Sequence, residues 1–288
     1  MTIELRSKPV REKELEKLKS RCQALKDAGI TPSMKVFLVG ENPASQRYTR
    51  NKKKFCESFG AECEILQFAE DLDQASFLAQ VKKVVADDSV HGCFIQLPLP
   101  AQLAALPVDQ LIPAEKDVDG FNERNVQLLF HGDTGQQALL PCTPKGIITL
   151  LNHYGIGLSG KKVVIIGRSQ IVGRPLALLM LNHHATVTVC HSKTTDIKAL
   201  TREADIIVTA IGVPRFLDKD YIGGNKPVVI DVGINNDEQG KLAGDCHYQQ
   251  IYDLCSAITP VPGGVGPMTI LSLMENLLQA AENQKGTK

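Results

Sequence analysis

Tyr48 and Lys52 stand four apart in YTRNKKKFC, so on a helix they project from one face, and Lys53 and Lys54 follow at once. Crowded ammonium groups release protons more readily than isolated ones, and partial burial adds to the effect. A lysine in such a cluster can serve as a general acid or base near neutral pH. The competing reading is a solvated Lys-Lys-Lys helix face. Two further groups bear on the choice. Gln96 interrupts the apolar run that begins Gly92-Cys-Phe-Ile. It falls where a strand of a parallel sheet would end, and ligands gather beyond such ends. A buried glutamine needs hydrogen-bond partners, and a lysine can supply one. Asp119, in Asp117-Val-Asp119-Gly120, can offer paired acceptors to an amino-pyrimidine ring, or can merely shape an Asx-turn.

A second constellation lies further on. The strand-like run Lys161-Lys-Val-Val-Ile-Ile166 feeds into Gly167-Arg-Ser-Gln-Ile-Val-Gly-Arg-Pro175 and then a helical pattern of leucines. Such a strand–turn–helix unit aims backbone N–H groups and a helix N-terminus at an anion, typically a dinucleotide pyrophosphate. The spacing is G-x-S-x-x-x-G through Gly167, Ser169 and Gly173 rather than G-x-G-x-x-G, and a tight turn packed on a sheet would also satisfy it. After the next strand, residues 185–190, stand His191, Ser192, Lys193 and Thr194, where NAD-binding units usually carry an acid for the ribose hydroxyl. A hydroxyl, an imidazole and an ammonium suit a 2′-phosphate, with Arg168 as a second partner, so NADP is expected over NAD. A polar loop with no ligand is the alternative. Thr259-Pro-Val-Pro-Gly-Gly-Val-Gly-Pro-Met-Thr269 packs prolines and glycines into a short loop before a helix. It either fixes a backbone path close to a ligand or forms a stiff connector.

Alternating helix and strand patterns must position these groups. A charged helix is expected over residues 11–28, ending at Gly29. Strands are expected over 34–40, 62–68 and 92–97. Helices are expected from Pro43 to residue 59 and over 74–86. Pro141-Cys-Thr-Pro144 reads as the entry to a helix capped by Thr143 and reaching Tyr154. This order defines an α/β fold. With 288 residues the chain can carry two domains with real cores. A formal net charge of +0 and the lack of a basic stripe argue against nucleic acid as a partner. No apolar run approaches the ~20 residues of a membrane span. The charged opening MTIELRSKPVREKELEK lacks a signal-peptide core. Eight scattered cysteines, without a C-x-x-C pair, are expected as buried thiols of a reducing compartment. No His/Asp/Glu cluster has metal-ligand spacing, so no metal is expected.

YTRNKKKFC, GCFIQLPLP, EKDVDGFN, PCTPKGI, GRSQIVGRP, CHSKT, DVGIN and TPVPGGVGPMT follow one another from residue 48 to residue 269. In that order they resemble the bifunctional methylenetetrahydrofolate dehydrogenase/methenyltetrahydrofolate cyclohydrolase family. The resemblance implies oxidation of 5,10-methylenetetrahydrofolate with NADP, then hydrolysis of the methenyl product to 10-formyltetrahydrofolate. It places the catalytic group at Lys52, held by Tyr48 and Gln96, with Tyr48 also beside the folate aminobenzoyl portion. It places the pterin on Asp119, and NADP on Gly167, Arg168, Ser169, Ser192 and Ile234. Pro262, Gly263 and Gly264 form a loop closing over folate and cofactor. The implied fold is a folate-binding catalytic domain, 1–138, completed by a C-terminal helix, 268–288, and a Rossmann-type NADP-binding domain, 139–267. It further implies a cytoplasmic homodimer, joined through the Rossmann domains and serving one-carbon metabolism for purine, methionine and histidine biosynthesis.

Some positions depart from the family's pattern. Asn51 stands where serine is general, Asn125-Val-Gln127 where Asn-x-Gly is common, and the N-terminal segment lacks an Asp-Gly-Lys pattern. In the family Gln127's position belongs to the floor of the folate cleft, so this departure bears on substrate affinity and on the balance of the two activities. Tyr-x-x-x-Lys also occurs in short-chain dehydrogenases, but there it follows the glycine turn; here Tyr48 precedes Gly167. A monofunctional dehydrogenase of the same family and a non-catalytic NADP sensor are the remaining alternatives. Lys52, Gln96 and Asp119 together favour the bifunctional reading.

Overall fold

The computed structural model of the chain describes residues 1–135, 137–236 and 239–285. Two compact units emerge. One comprises Lys13–Leu128, Gly135–Leu140 and Ser272–Lys288; the other comprises Met1–Glu12, Leu129–Thr134 and Pro141–Leu271. The opening residues Met1–Glu12 group with the second of these units. The final residues 286–288 of the expected C-terminal helix lie outside the described residues.

In chain order the elements begin with β1 (Ile3–Glu4) and α1 (Ser7–Asp27). Then come β2 (Ser33–Val39), α2 (Pro43–Ser58), β3 (Glu62–Phe68), α3 (Gln74–Val85) and β4 (Gly92–Ile95). Strands β3, β2 and β4, in that order, make a parallel three-stranded sheet. The β2–β3 ladder runs in register from Ser33 opposite Glu62 to Val39 opposite Phe68. Apolar alternation drives one face of this sheet onto Phe77 and Val81 of α3, with Phe37, Val39, Cys93 and Ile95 in the same cluster. Phe37 and Phe77 meet edge to face at 6.2 Å, an arrangement that suits the ring quadrupoles. β4 ends at Ile95, one residue before Gln96, whose N–H still donates to the Phe37 carbonyl.

Short helices α4 (Val108–Leu111) and α5 (Glu123–Phe130) follow, then α6 (Cys142–His153). Thr143 does not cap α6. The helix starts at Cys142, two residues earlier than that cap would have it, and the Thr143 hydroxyl sits 3.0 Å from that of Thr269 instead. The second unit continues with β5 (Lys162–Ile166), α7 (Gly173–Asn182), β6 (Thr186–Cys190), α8 (Ile197–Arg202), β7 (Ile206–Thr209) and β8 (Val228–Asp231). A small hairpin, β9 (Asn235–Asn236) with β10 (Leu242–Ala243), precedes α9 (Tyr248–Ile251) and β11 (Ala257–Ile258). The main sheet has the order β1-β11-β8-β7-β5-β6, parallel throughout. From β5 the chain passes to β6 on one side and returns to β7 on the other. That reversal is the topological switch point of a Rossmann-type sheet.

The last helix, α10 (Val265–Lys285), gives its C-terminal part to the first unit. Buried Asn276 donates through Nδ2 to the carbonyls of Val118 and Leu140, at 2.8 Å each. A Cβ at Gly92 would lie 2.9 Å from Leu277 and 2.5 Å from Val118, so only glycine lets β4 approach them. Arg21 and Glu282 add a bidentate pair at 2.8 and 2.9 Å.

Candidate active site

Helix α2 is built to present one lysine. Asn42 starts it by accepting from the N–H groups of Ala44 and Ser45, and Pro43 occupies the first turn, where its missing N–H costs nothing. The buried face runs through Ser45, Thr49 and Cys56. Lys52 follows Thr49 by three residues and precedes Cys56 by four, so it belongs to this stripe and is half-buried. The three lysines are thereby sorted. Lys54 is exposed, and Lys53 is tied to the Cys63 carbonyl at 2.9 Å and to Glu57 at 3.3 Å. Lys52 Nζ reaches the end of β4, where it donates to Gln96 Oε1 at 3.3 Å and lies 3.9 Å from the Phe94 ring centroid.

Gln96 is itself held, its Nε2 donating to the Leu97 carbonyl at 2.7 Å. That leaves Oε1 turned to the lysine. Phe94 was not among the residues singled out from sequence. Its signal was there: two residues before Gln96 on one strand means the same sheet face. Tyr48 stands one turn before Lys52 and is 44% exposed. The departure at Asn51 falls on the exposed side of the helix.

Asp119 is half-buried in the turn that leaves a bridge between Cys93 and Asp117. Gly120 permits this turn: its φ is +79°, and a Cβ there would lie 2.4 Å from the Leu140 carbonyl carbon. The neighbouring Asp117 anchors it. Its carboxylate is buried and accepts from Asn122 N at 2.6 Å. Burial pushes the Asp117 carboxyl up to about 7; the charge of Asp119 adds to this, and the amides of Asn122, Phe121 and Gly120 oppose it. Gln127 is exposed and lines an open cavity of about 690 Å³ with Gln110, Asn122, Glu123 and Arg124.

In the second unit the glycine turn sits at the carboxyl end of β5. Gly167 has φ +126°, and a Cβ there would stand 2.3 Å from the Ala210 carbonyl oxygen. A Cβ at Gly173 would stand 2.2 Å from the Gly167 oxygen. Both positions therefore need glycine for close backbone packing at the start of α7. The Ser169 hydroxyl accepts from the N–H groups of Val172 and Gly173 at 3.2 and 3.4 Å, bracing the turn from within. Arg168, Ser192 and Lys193 are exposed. The loop after β6 is shaped by Thr194 Oγ1, which accepts from His191 N at 2.9 Å, and by His191 Nδ1, which accepts from Lys193 N at 3.2 Å.

Ile234, 52% exposed, follows the end of β8. Pro262 is exposed; Gly263 has φ +100° and its carbonyl accepts from the N–H and hydroxyl of Ser7. At Gly264 a Cβ would lie 2.6 Å from the Pro260 oxygen. The loop around residues 259–264 is thus locked to the first turn of α1.

These features define a two-unit α/β protein. One unit carries a lysine–glutamine pair beyond a parallel strand, and the other a dinucleotide-type turn at a switch point. Residues 5–119 match the family model for the tetrahydrofolate dehydrogenase/cyclohydrolase catalytic domain, and residues 141–285 match that for the NAD(P)-binding domain. The chain belongs to the tetrahydrofolate dehydrogenase/cyclohydrolase family. It is 44% identical over 282 residues to the bifunctional protein FolD of Bacillus anthracis, covering 98% of this chain and 97% of that protein. The bifunctional FolD methylenetetrahydrofolate dehydrogenase/cyclohydrolase from Campylobacter jejuni superposes with a TM-score of 0.94 at 44% identity, over 98% of this chain and 99% of that one. The methylenetetrahydrofolate dehydrogenase-cyclohydrolase of Trypanosoma brucei, solved with NADP and an inhibitor, gives 0.90 at 30% identity over 98% of both chains. No helix of the described residues is long and apolar enough to cross a membrane.

Proposed function

We propose that this chain oxidises 5,10-methylenetetrahydrofolate to 5,10-methenyltetrahydrofolate with NADP and hydrolyses the product to 10-formyltetrahydrofolate. The observation that carries the reading is the Lys52–Gln96 hydrogen bond above Phe94, in a chain that matches both family domains. Gly167, Arg168, Ser169, Ser192 and Ile234 would hold NADP; the close-packed glycines leave the backbone bare for a pyrophosphate, and the α7 N-terminus favours its charge. Bound NADP would supply the hydride acceptor that turns the methylene compound into a methenyl cation, its charge shared by two nitrogens.

The protein's own groups then act on that cation. Lys52 takes a proton from the attacking water and returns one to the departing ring nitrogen. Gln96 keeps Nζ in place through both transfers, and Tyr48, one turn away, helps position lysine and folate. Asp119 grips the amino-pyrimidine edge of the pterin, and Pro262, Gly263 and Gly264 border the substrate. The unit spanning 13–128 is read as folate-binding and that around 141–271 as NADP-binding. We read the protein as a cytoplasmic homodimer joined through the NADP-binding units, supplying one-carbon groups for purine, methionine and histidine biosynthesis. Eight buried free thiols support a reducing compartment.

The test follows methylenetetrahydrofolate with NADP and with NAD, recording reduced cofactor and methenyl absorbance together, and adds methenyl hydrolysis without cofactor. Reduced cofactor together with cofactor-free hydrolysis is expected. Cofactor reduction without hydrolysis would reduce the chain to a monofunctional dehydrogenase, and neither reaction would leave a sensor.

A further inference from the structure

The carboxyl ends of β7 and β8 carry a buried device that the reaction scheme leaves unused. Asp245 is fully buried. Its Oδ2 accepts from Ile211 N at 2.8 Å and Gly212 N at 3.2 Å, and its Oδ1 accepts from Val213 N at 2.9 Å and Asn235 Nδ2 at 2.9 Å. One carboxylate therefore gathers three consecutive amides of the loop after β7 and the side chain of the residue after Ile234. A second buried acid, Asp231, fixes Asp245 in turn, accepting from Asp245 N, Cys246 N and Gly233 N at 2.8–2.9 Å. The packing leaves no slack. A Cβ at Gly233 would lie 2.3 Å from Asp245 Oδ1, and one at Gly244 would lie 2.0 Å from Asp231 Oδ2.

The clamped loop after β7 borders the dinucleotide turn. Ala210, one residue before the first clamped amide, donates its N–H to the Ile166 carbonyl, and its own oxygen is what a Cβ at Gly167 would strike. Val213 and Ile234, at the outer ends of the two segments, are 46% and 52% exposed. Both are aliphatic side chains left open to solvent, on backbone that Asp245 fixes through Val213 N and the side chain of Asn235. A buried carboxylate with four donors makes charge-assisted bonds, stronger than those between neutral groups. Its burial is accordingly an investment in shape rather than in a contact with ligand.

We propose that Asp245 is a positioning residue for the dinucleotide, holding residues 211–213 and Asn235 in the one arrangement that receives it. This rests on the NADP-binding reading of the second unit. An amide at this position offers one acceptor oxygen to four donors and sets an NH₂ against the others.

The test compares wild type, Asp245→Asn and Asn235→Ala. Each is assayed for dehydrogenase KM for NADP, kcat at saturating NADP, cofactor-free methenyl hydrolysis, and the melting shift induced by NADP. For Asp245→Asn we expect KM for NADP to rise about tenfold or more and the NADP-induced shift to shrink, with hydrolysis near normal. Asn235→Ala, which removes one of the four donors, should raise KM a few-fold and leave the fold intact. If Asp245→Asn does not fold, an unchanged KM in Asn235→Ala overturns the proposal. A folded Asp245→Asn that binds NADP like wild type overturns it as well, as does an equal fall in both activities, which marks a merely structural role. If wild type itself shows no NADP-induced shift, the functional reading fails instead.

Discussion

Replacing Asp117 by asparagine should remove a loss of stability that the wild-type protein suffers as pH rises from about 4 to about 7. The carboxyl lies at about 7 in the folded chain against 3.8 for the free group, chiefly because burial disfavours its charge. A folded-state value raised in this way has a definite sign. Below 3.8 both states carry the proton and nothing is lost. As pH climbs, the unfolded chain ionises first, so native stability declines until the native carboxyl ionises near 7, and is flat above. The interval from 3.8 to 7 is about three pH units, at about 1.36 kcal/mol each, so the group withholds up to ~4 kcal/mol at pH 8. The replacement is not otherwise foreign to the site: the oxygen of the new amide side chain can still accept from Asn122 N, so the turn keeps its anchor. Urea unfolding followed by far-UV circular dichroism, at several pH values from about 4 to about 8, measures the effect. The stability of Asp117→Asn relative to wild type should grow across that range and level off above about 7. Parallel stability–pH curves for the two proteins would refute the reasoning, because they would mean that the carboxyl does not titrate in this window.

Three further outcomes are expected. Lys52→Met should fold and bind NADP but lose cyclohydrolase activity by ~10²–10⁴-fold, the usual effect of removing a positioned acid/base; near-normal methenyl hydrolysis would remove Lys52 from that role. Ser192→Asp should shift preference from NADP toward NAD by tenfold or more, since a charge-assisted contact contributes roughly 1.5–3 kcal/mol, and the ratio of kcat/KM values for the two cofactors reads it directly. Asp119→Asn should weaken folate use in both reactions while the NADP-induced melting shift survives; unchanged affinity for a folate analogue at a normal melting temperature would leave Asp119 as a turn residue only.

Much of the scaffold was legible because periodicity and punctuation agreed. β3 runs over residues 62–68 as its alternation indicates, and α2 begins at Pro43 and stops just before Gly60. The Lys52–Gln96 contact was inferable from a polar residue ending an apolar strand. What escaped had non-local causes. β1 lies in a charged opening segment and forms only because Ile3 and Glu4 pair with Ala257 and Ile258, far along the chain. Thr143 and Pro144 read locally as a cap, but tertiary packing offered the hydroxyl Thr269 instead. Asp231 and Asp245 look like ordinary acids in sequence; their burial and mutual support depend on Gly233 and Gly244 lying against them. Phe94 read as one more apolar strand residue, because nothing local says that a lysine from another element will settle on its ring.

The order of segments along the chain bears on how the molecule comes into being. The unit that carries Lys52 and Gln96 takes its last piece from residue 272 onward, after the whole of the other unit's sheet has been specified. On a ribosome, its amino-terminal portion must wait, with the glycine seam at Gly92 open, until Asn276 and Leu277 emerge to close it. A nascent chain therefore cannot finish the lysine's scaffold before the nucleotide sheet has been made. A chain that stops before that last helix lacks Asn276 and Leu277, and so leaves Gly92 and Val118 without the side chains that cover them.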